Sequence, residues 1–181
     1  MRYLYVGATA DVDTEADGEA LKTVRERLAE EFDAPVREAA LPGIEFAFDA
    51  GRGQYGSIAA LEMVARECPT DALKMLAVTG RDLFIPVLTF VYGQAQLGGR
   101  VGVMSLERLR QEFYGLDPDP EIFRERASKE ALHEAGHTFG LVHCANRSCA
   151  MALATNIRQI DLKRAAFCAS CAAELRRRAR E

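Results

Sequence analysis

The sequence has only three histidines in 181 residues. It contains no apolar run approaching the roughly 18 residues of a membrane-spanning helix, so no membrane association is expected. The N-terminus, MRYLYVGATADVD, lacks the charged segment and long apolar core of an export signal. No internal repeat or low-complexity segment is present. Positive charge is not in excess: 23 Lys and Arg face 27 Asp and Glu, a net charge of -4, which gives no general attraction to nucleic acid. The five cysteines are an odd number, which argues against a closed disulfide framework. These absences lead to an expected cytoplasmic location, where cysteines serve as metal ligands or buried thiols rather than disulfides.

What is present is an ordinary globular composition over a length that predicts one domain. Strands are predicted at 2–7, 35–41, 74–79, 87–95 and 100–105, the last two joined by a turn at Gly98-Gly99. Leu21, Val24, Leu28 and Phe32 recur at helical spacing behind Thr14, a candidate N-cap. Glu15, Asp17, Glu19, Glu26, Glu30 and Glu31 read as its solvated face. Ile58, Leu61, Ala65 and Cys68 mark one face of a second helix that stops at Pro69, with Cys68 an inert core thiol. GRGQYGS (51–57) reads as a loop. Asp119-Pro120-Glu121 starts a long helix that Gly140 ends, and a last helix is predicted over 159–178. The pattern is α/β (α+β): an upper lobe over 1–140 with a mixed five-stranded sheet, and a smaller irregular and helical lobe over 141–181.

All three histidines fall in one stretch, HEAGHTFGLVHC, residues 133–144. His133 and His137 lie four residues apart on the long helix, so their imidazoles share a face and can bind one metal ion. Glu134 is placed to act as general base toward a metal-bound water. Gly140, free to take positive φ, lets the chain turn so that His143 comes back as a third ligand. Met151 follows, and HExxHxxGxxH with a later methionine is the metzincin signature. Three protein ligands leave a position open for chemistry, and zinc is the expected metal. A second oxyanion donor is not assigned; Tyr92 and Tyr114 are candidates, though a tyrosine commonly packs half-buried.

Cys144, Cys149, Cys168 and Cys171 have the spacing of a structural four-cysteine zinc site. The plainer reading is unrelated buried thiols plus a redox CxxC. As a zinc site, they would tie the chain behind His143 to the last helix and fix where His143 sits.

HEAGHTFGLVHC, then CAM, then CASC, together with TGRDLFIPVLTFVYGQAQLGGRVGVMSLERL (79–109), resembles the archaemetzincin family. The likeness spans roughly half the chain. It implies a metzincin-like zincin fold, two helices and an active-site helix on the mixed sheet, and aminopeptidase- or endopeptidase-like zinc chemistry. It implies two zinc ions, a catalytic one on His133, His137 and His143 and a structural one on the four cysteines. By analogy with metzincins, the strand Phe90, Val91, Tyr92, Gly93, Gln94, Ala95 is expected to border the cleft and pair with an extended peptide. The plainer reading of that segment is an ordinary, alternately buried strand. The expected partner is a peptide or protein substrate of a monomeric zinc metallopeptidase. The competing reading is a non-catalytic zinc module with a protein or nucleic-acid partner; the basic C-terminus ELRRRARE could touch nucleic acid, but positive charge at a helix end also suits its dipole and no aromatics interleave it for base stacking, so a nucleic-acid partner is not expected. Glu134 separates the two, because a purely structural site needs no acid there.

Overall fold

The computed structural model describes residues 2–178. In chain order the elements are β1 (Tyr3–Thr9), α1 (Gly18–Phe32), β2 (Val36–Leu41), β3 (Phe48–Asp49), β4 (Gln54–Gly56), α2 (Ser57–Glu67), β5 (Ala72–Thr79), β6 (Leu83–Phe84), β7 (Gly93–Ala95), β8 (Val101–Ser105), α3 (Pro120–Thr138), α4 (Ile157–Leu162) and α5 (Ala169–Arg178). The main sheet runs β2-β1-β5-β8-β7. β1 pairs in parallel with β2 and β5, and β5 with β8. Only β7 is antiparallel to its neighbour. A second, small sheet joins β3, β4 and β6.

The central strands are buried on both faces, as a sheet covered by helices requires. On one face, Leu21, Val24 and Leu28 of α1 pack with Ala127, Ala131 and Leu132 of α3 against Leu4, Val6, Leu76 and Val78. On the other, Ala60, Leu61 and Val64 of α2 cover Met75, Ala77, Val101 and Val103. α3 shows almost no one-sided apolar pattern, because residues 126–136 are buried all round between the sheet and the C-terminal lobe. Its start is as expected: Asp119 caps the amides of Glu121 and Ile122, both at 3.0 Å, with Pro120 at the first helical position.

Four expectations change. α1 starts at Gly18, not behind Thr14, because the Asp13 carboxylate takes the amides of Glu15 and Ala16 and closes a separate turn. Asp17 is not on a solvated face: it is buried and receives Arg110 at 2.7 and 2.9 Å. The strand expected over 87–95 shrinks to β7. Residues 86–89 form a turn held by Arg52, whose guanidinium donates to the carbonyls of Pro86 and Leu88. The helix expected over 159–178 is two helices. Between them Arg164 donates to the Ser148 carbonyl and Ala166 accepts from the Ala150 amide, so pairing with the cysteine loop wins over helix propensity. Smaller shifts accompany these: residues 54–56 of the expected loop are β4, Ile58 is exposed, and Cys68 is half-buried.

Candidate active site

α3 ends in a Schellman motif. The Leu141 amide donates to the Gly136 carbonyl at 3.0 Å and the Gly140 amide to that of His137 at 2.8 Å, with Gly140 at φ 87°. This turn reverses the chain and returns His143 to His133 and His137. One nitrogen of each of the three lies within 4.8 Å of the others. Nδ1 of His133 lies 2.9 Å from the Ala150 carbonyl, and Nδ1 of His137 lies 2.8 Å from that of Leu141. A carbonyl only accepts, so both Nδ1 atoms carry the proton. The two Nε2 lone pairs then face each other across 3.1 Å. That contact is repulsive unless a cation lies between them, so the donor set fits a metal such as zinc.

Burial holds His133 well below its ordinary pKa, with the Lys163 ammonium adding to the effect, and burial also lowers His137 and His143. The neutral imidazole needed by a metal therefore persists at pH values below 6.5, the usual histidine value. In a pH titration of zinc content, we expect retention through that value and release only at more acidic pH. Release beginning above it would contradict the assignment.

Glu134 is buried against β7. A side chain at Gly93 would put its Cβ 2.6 to 2.7 Å from the end of the Glu134 side chain, so only glycine lets the strand approach this closely. Among the described residues, Glu134 Oε2 has no hydrogen-bond partner. One turn earlier on α3, the Glu130 carboxyl group is buried beside it. Burial, then the charge of Glu130, raises the Glu134 pKa well above the carboxylate range. Lys163, from the end of α4, is buried beside them with Nζ 3.5 Å from His133 Nδ1. Burial lowers its pKa and the two carboxyl groups oppose that.

Met151 is fully buried, and its sulfur lies where a side chain at Gly136, on the active-site helix, would be. Gly136→Ala should therefore force overpacking, which costs about 1–3 kcal/mol, and should weaken zinc binding by displacing Met151 and the helix that carries His133 and His137. Thermal unfolding and zinc titration of that variant check this.

The four cysteine sulfurs also lie within 4.8 Å of one another, on a small apolar cluster of Leu141, Met151 and Leu175. None is in a disulfide. Backbone amides already point at them, Asn146 to Cys144 at 3.4 Å and Cys168 to Cys149 at 3.3 Å. The Cys171 amide, chiefly, holds the Cys168 thiol down at about 7, whereas burial pushes Cys149 and Cys171 up. Four sulfurs at this spacing, with N–H donors aimed at them, suit a thiolate-bound zinc.

A cleft of about 610 Å³ runs along the histidines and Glu134, and apolar side chains rim it. Leu88, Leu97, Val142 and Leu153 are each more than half exposed there. β7 is an edge strand of the main sheet. The Tyr92 carbonyl accepts from Ser105 and the Gln96 amide donates to Val101, so by alternation the backbone groups of Gly93 and Ala95 face away from β8. Of the segment expected along the cleft, Gly93, Gln94 and Ala95 are in β7. Phe90, Val91 and Tyr92 line the cleft too, outside the strand: Val91 bridges Leu83, Phe90 packs edge-on to Tyr92, and Tyr92 is buried. The Tyr92 hydroxyl is hydrogen-bonded to nothing in suitable geometry among the described residues, and that of Tyr114 donates to the Arg108 carbonyl at 2.8 Å.

Residues 56–177 match the model of peptidase family M54. An archaemetzincin of Methanocaldococcus jannaschii is 36% identical over 91% of this chain and 89% of its own. The chain belongs to peptidase family M54, the archaemetzincins. The crystal structure of the Methanopyrus kandleri archaemetzincin superposes with TM-score 0.88 at 33% identity, over 99% of this chain and 97% of that one. A zinc-dependent peptidase of Methanocorpusculum labreanum superposes with TM-score 0.82 at 30% identity, over 95% and 99%. This archaemetzincin is thus a zinc metallopeptidase with the metzincin-like fold, and the reading of a purely non-catalytic zinc module falls. Among the described residues of the archaemetzincin, no helix is long and apolar enough to cross a membrane.

Sequence reasoning missed three residues of this site. Glu130 was within reach, because it precedes Glu134 by four positions and must share its face of α3. Gly136 and Lys163 carry no local signal, since each acts on a residue brought up from elsewhere in the fold, and the same holds for the close approach of Gly93, a residue already placed in the expected strand, to Glu134.

Proposed function

We propose that His133, His137 and His143 hold a catalytic zinc and that Cys144, Cys149, Cys168 and Cys171 hold a structural one. When bound, the catalytic ion would acidify a water and polarise a peptide carbonyl. Glu134 takes the proton from that water and passes it to the leaving amine. Its buried carboxyl group suits both steps, because burial raises its affinity for a proton. Gly93 and Ala95 offer outward-facing backbone groups to an extended peptide, and the apolar rim receives its side chains. The cysteine site fixes the chain from which His143 projects. Gly140 sets the return of that chain and Met151 the floor.

The observation that carries this reading is the meeting of three histidine nitrogens within 4.8 Å, in one cleft with Glu134. Elemental analysis should find two zinc ions per chain. Mild chelation should remove one, and with it the hydrolysis of a mixed peptide library, and added zinc should restore both. A single zinc ion, or hydrolysis indifferent to chelation, would overturn the proposal.

A further inference from the structure

Lys74 lies on central strand β5, on the face that packs against α3. Its half-buried ammonium finds no carboxylate in hydrogen-bond range among the described residues. It donates instead to two backbone carbonyls, Gly99 at 2.5 Å and Thr138 at 2.6 Å, and lies 5.0 Å from the centre of the Phe139 ring. Thr138 is the last residue of α3, where carbonyls have no partner within the helix. Gly99 is in the β7–β8 turn. Beside this contact, the Gly98 amide donates to the His137 carbonyl at 2.9 Å.

The strand bordering the cleft is therefore held to the active-site helix at two places. At one end, Gly93 packs against Glu134. At the other, the turn is tied to residues 137 and 138 through Gly98 and Lys74. Burying an ammonium is unfavourable unless strong hydrogen bonds replace its water, and bonds from a charged donor are the strong kind. A methionine here would fill the same space without that penalty, but would join nothing.

We propose that Lys74 is a positioning residue for substrate: it clamps the β7–β8 turn to the C-terminal end of α3 and so sets the gap between the peptide-pairing edge and the histidines. The proposal rests on the reading of β7 as the substrate strand. It acts on where the peptide lies, while the histidines and Glu134 stay in place.

Lys74→Met keeps the length and packing of the side chain and removes the clamp. The expected result is a KM for peptide hydrolysis raised about tenfold, with kcat changed less than about threefold and zinc content unchanged. Amide hydrogen exchange over residues 96–99 should quicken, and Lys74→Arg should recover most of the KM. Unchanged kinetics and exchange would overturn the clamp, and so would loss of kcat together with zinc. If Lys74→Met does not fold, Lys74→Gln, which lacks the charge and the reach, is read in the same way. If the wild type hydrolyses no peptide, the peptidase reading of the cleft fails, while exchange in the 96–99 turn still decides the clamp by itself.

Discussion

Glu134→Gln should lower kcat for peptide hydrolysis by about 10²–10⁴-fold and leave both zinc ions bound, the range expected for loss of a positioned general base. Glutamine fills the same space between Gly93 and Glu130 but cannot carry the proton from water to the leaving amine. Stability should move the other way. The folded-state pKa of Glu134 is raised above the ordinary 4.5 by burial and by Glu130. The folded protein therefore binds a proton here more readily than the unfolded chain. Between 4.5 and the raised value, stability is lost as pH increases, and the neutral glutamine escapes that loss. The metal-free variant should thus unfold at a temperature equal to or above that of the metal-free wild type at neutral pH. Kinetics and calorimetry on the same pair of proteins test both halves. Undiminished hydrolysis by the variant would remove Glu134 from the mechanism.

Cys149→Ser should have the largest effect on stability. Cys149 is buried, accepts the Cys168 amide, and packs with Leu141, Met151 and Leu175. A serine oxygen is a poor replacement for a thiolate at a zinc site, and the binding energy of a structural zinc is folding energy. We expect one zinc per chain instead of two, and a loss of about 4 kcal/mol, which for a chain of this size lowers Tm by roughly 8–16 °C. Activity should fall at least about tenfold as well. Cys144 directly follows His143, and its amide donates to the Met151 carbonyl at 2.9 Å, so a loosened cysteine loop frees the third ligand and the floor together. Cys68→Ser, remote on α2's far end, should change neither zinc content nor activity. A Cys149→Ser protein that keeps two zinc ions and the wild-type Tm would sink the structural-zinc assignment.

Much of this molecule follows from short-range rules. Asp119 and Pro120 begin α3, Gly140 ends it, and the four-residue interval between His133 and His137 puts two imidazoles on one helix face. The cysteine spacing points to a second metal site in the same way. The four strands β1, β2, β5 and β8 are legible because their runs are apolar and bounded by turn residues. The errors fall where a distant partner decides the backbone. Arg52 captures the 86–89 turn and cuts the expected strand down to β7, and the cysteine loop pairs with residues 164–166 and splits the last helix.

By itself, then, the sequence determined the candidate ligands, the candidate base and the turn between them, because each depends on intervals along one helix or one loop. Only the tertiary structure decided what surrounds those groups. Gly93 bares the edge strand to Glu134, Gly136 makes room for Met151, and Lys163 reaches the carboxyl pair from another lobe. The reason is physical: a spacing rule acts through local backbone geometry, whereas burial and close approach depend on which distant segment the packed chain brings alongside.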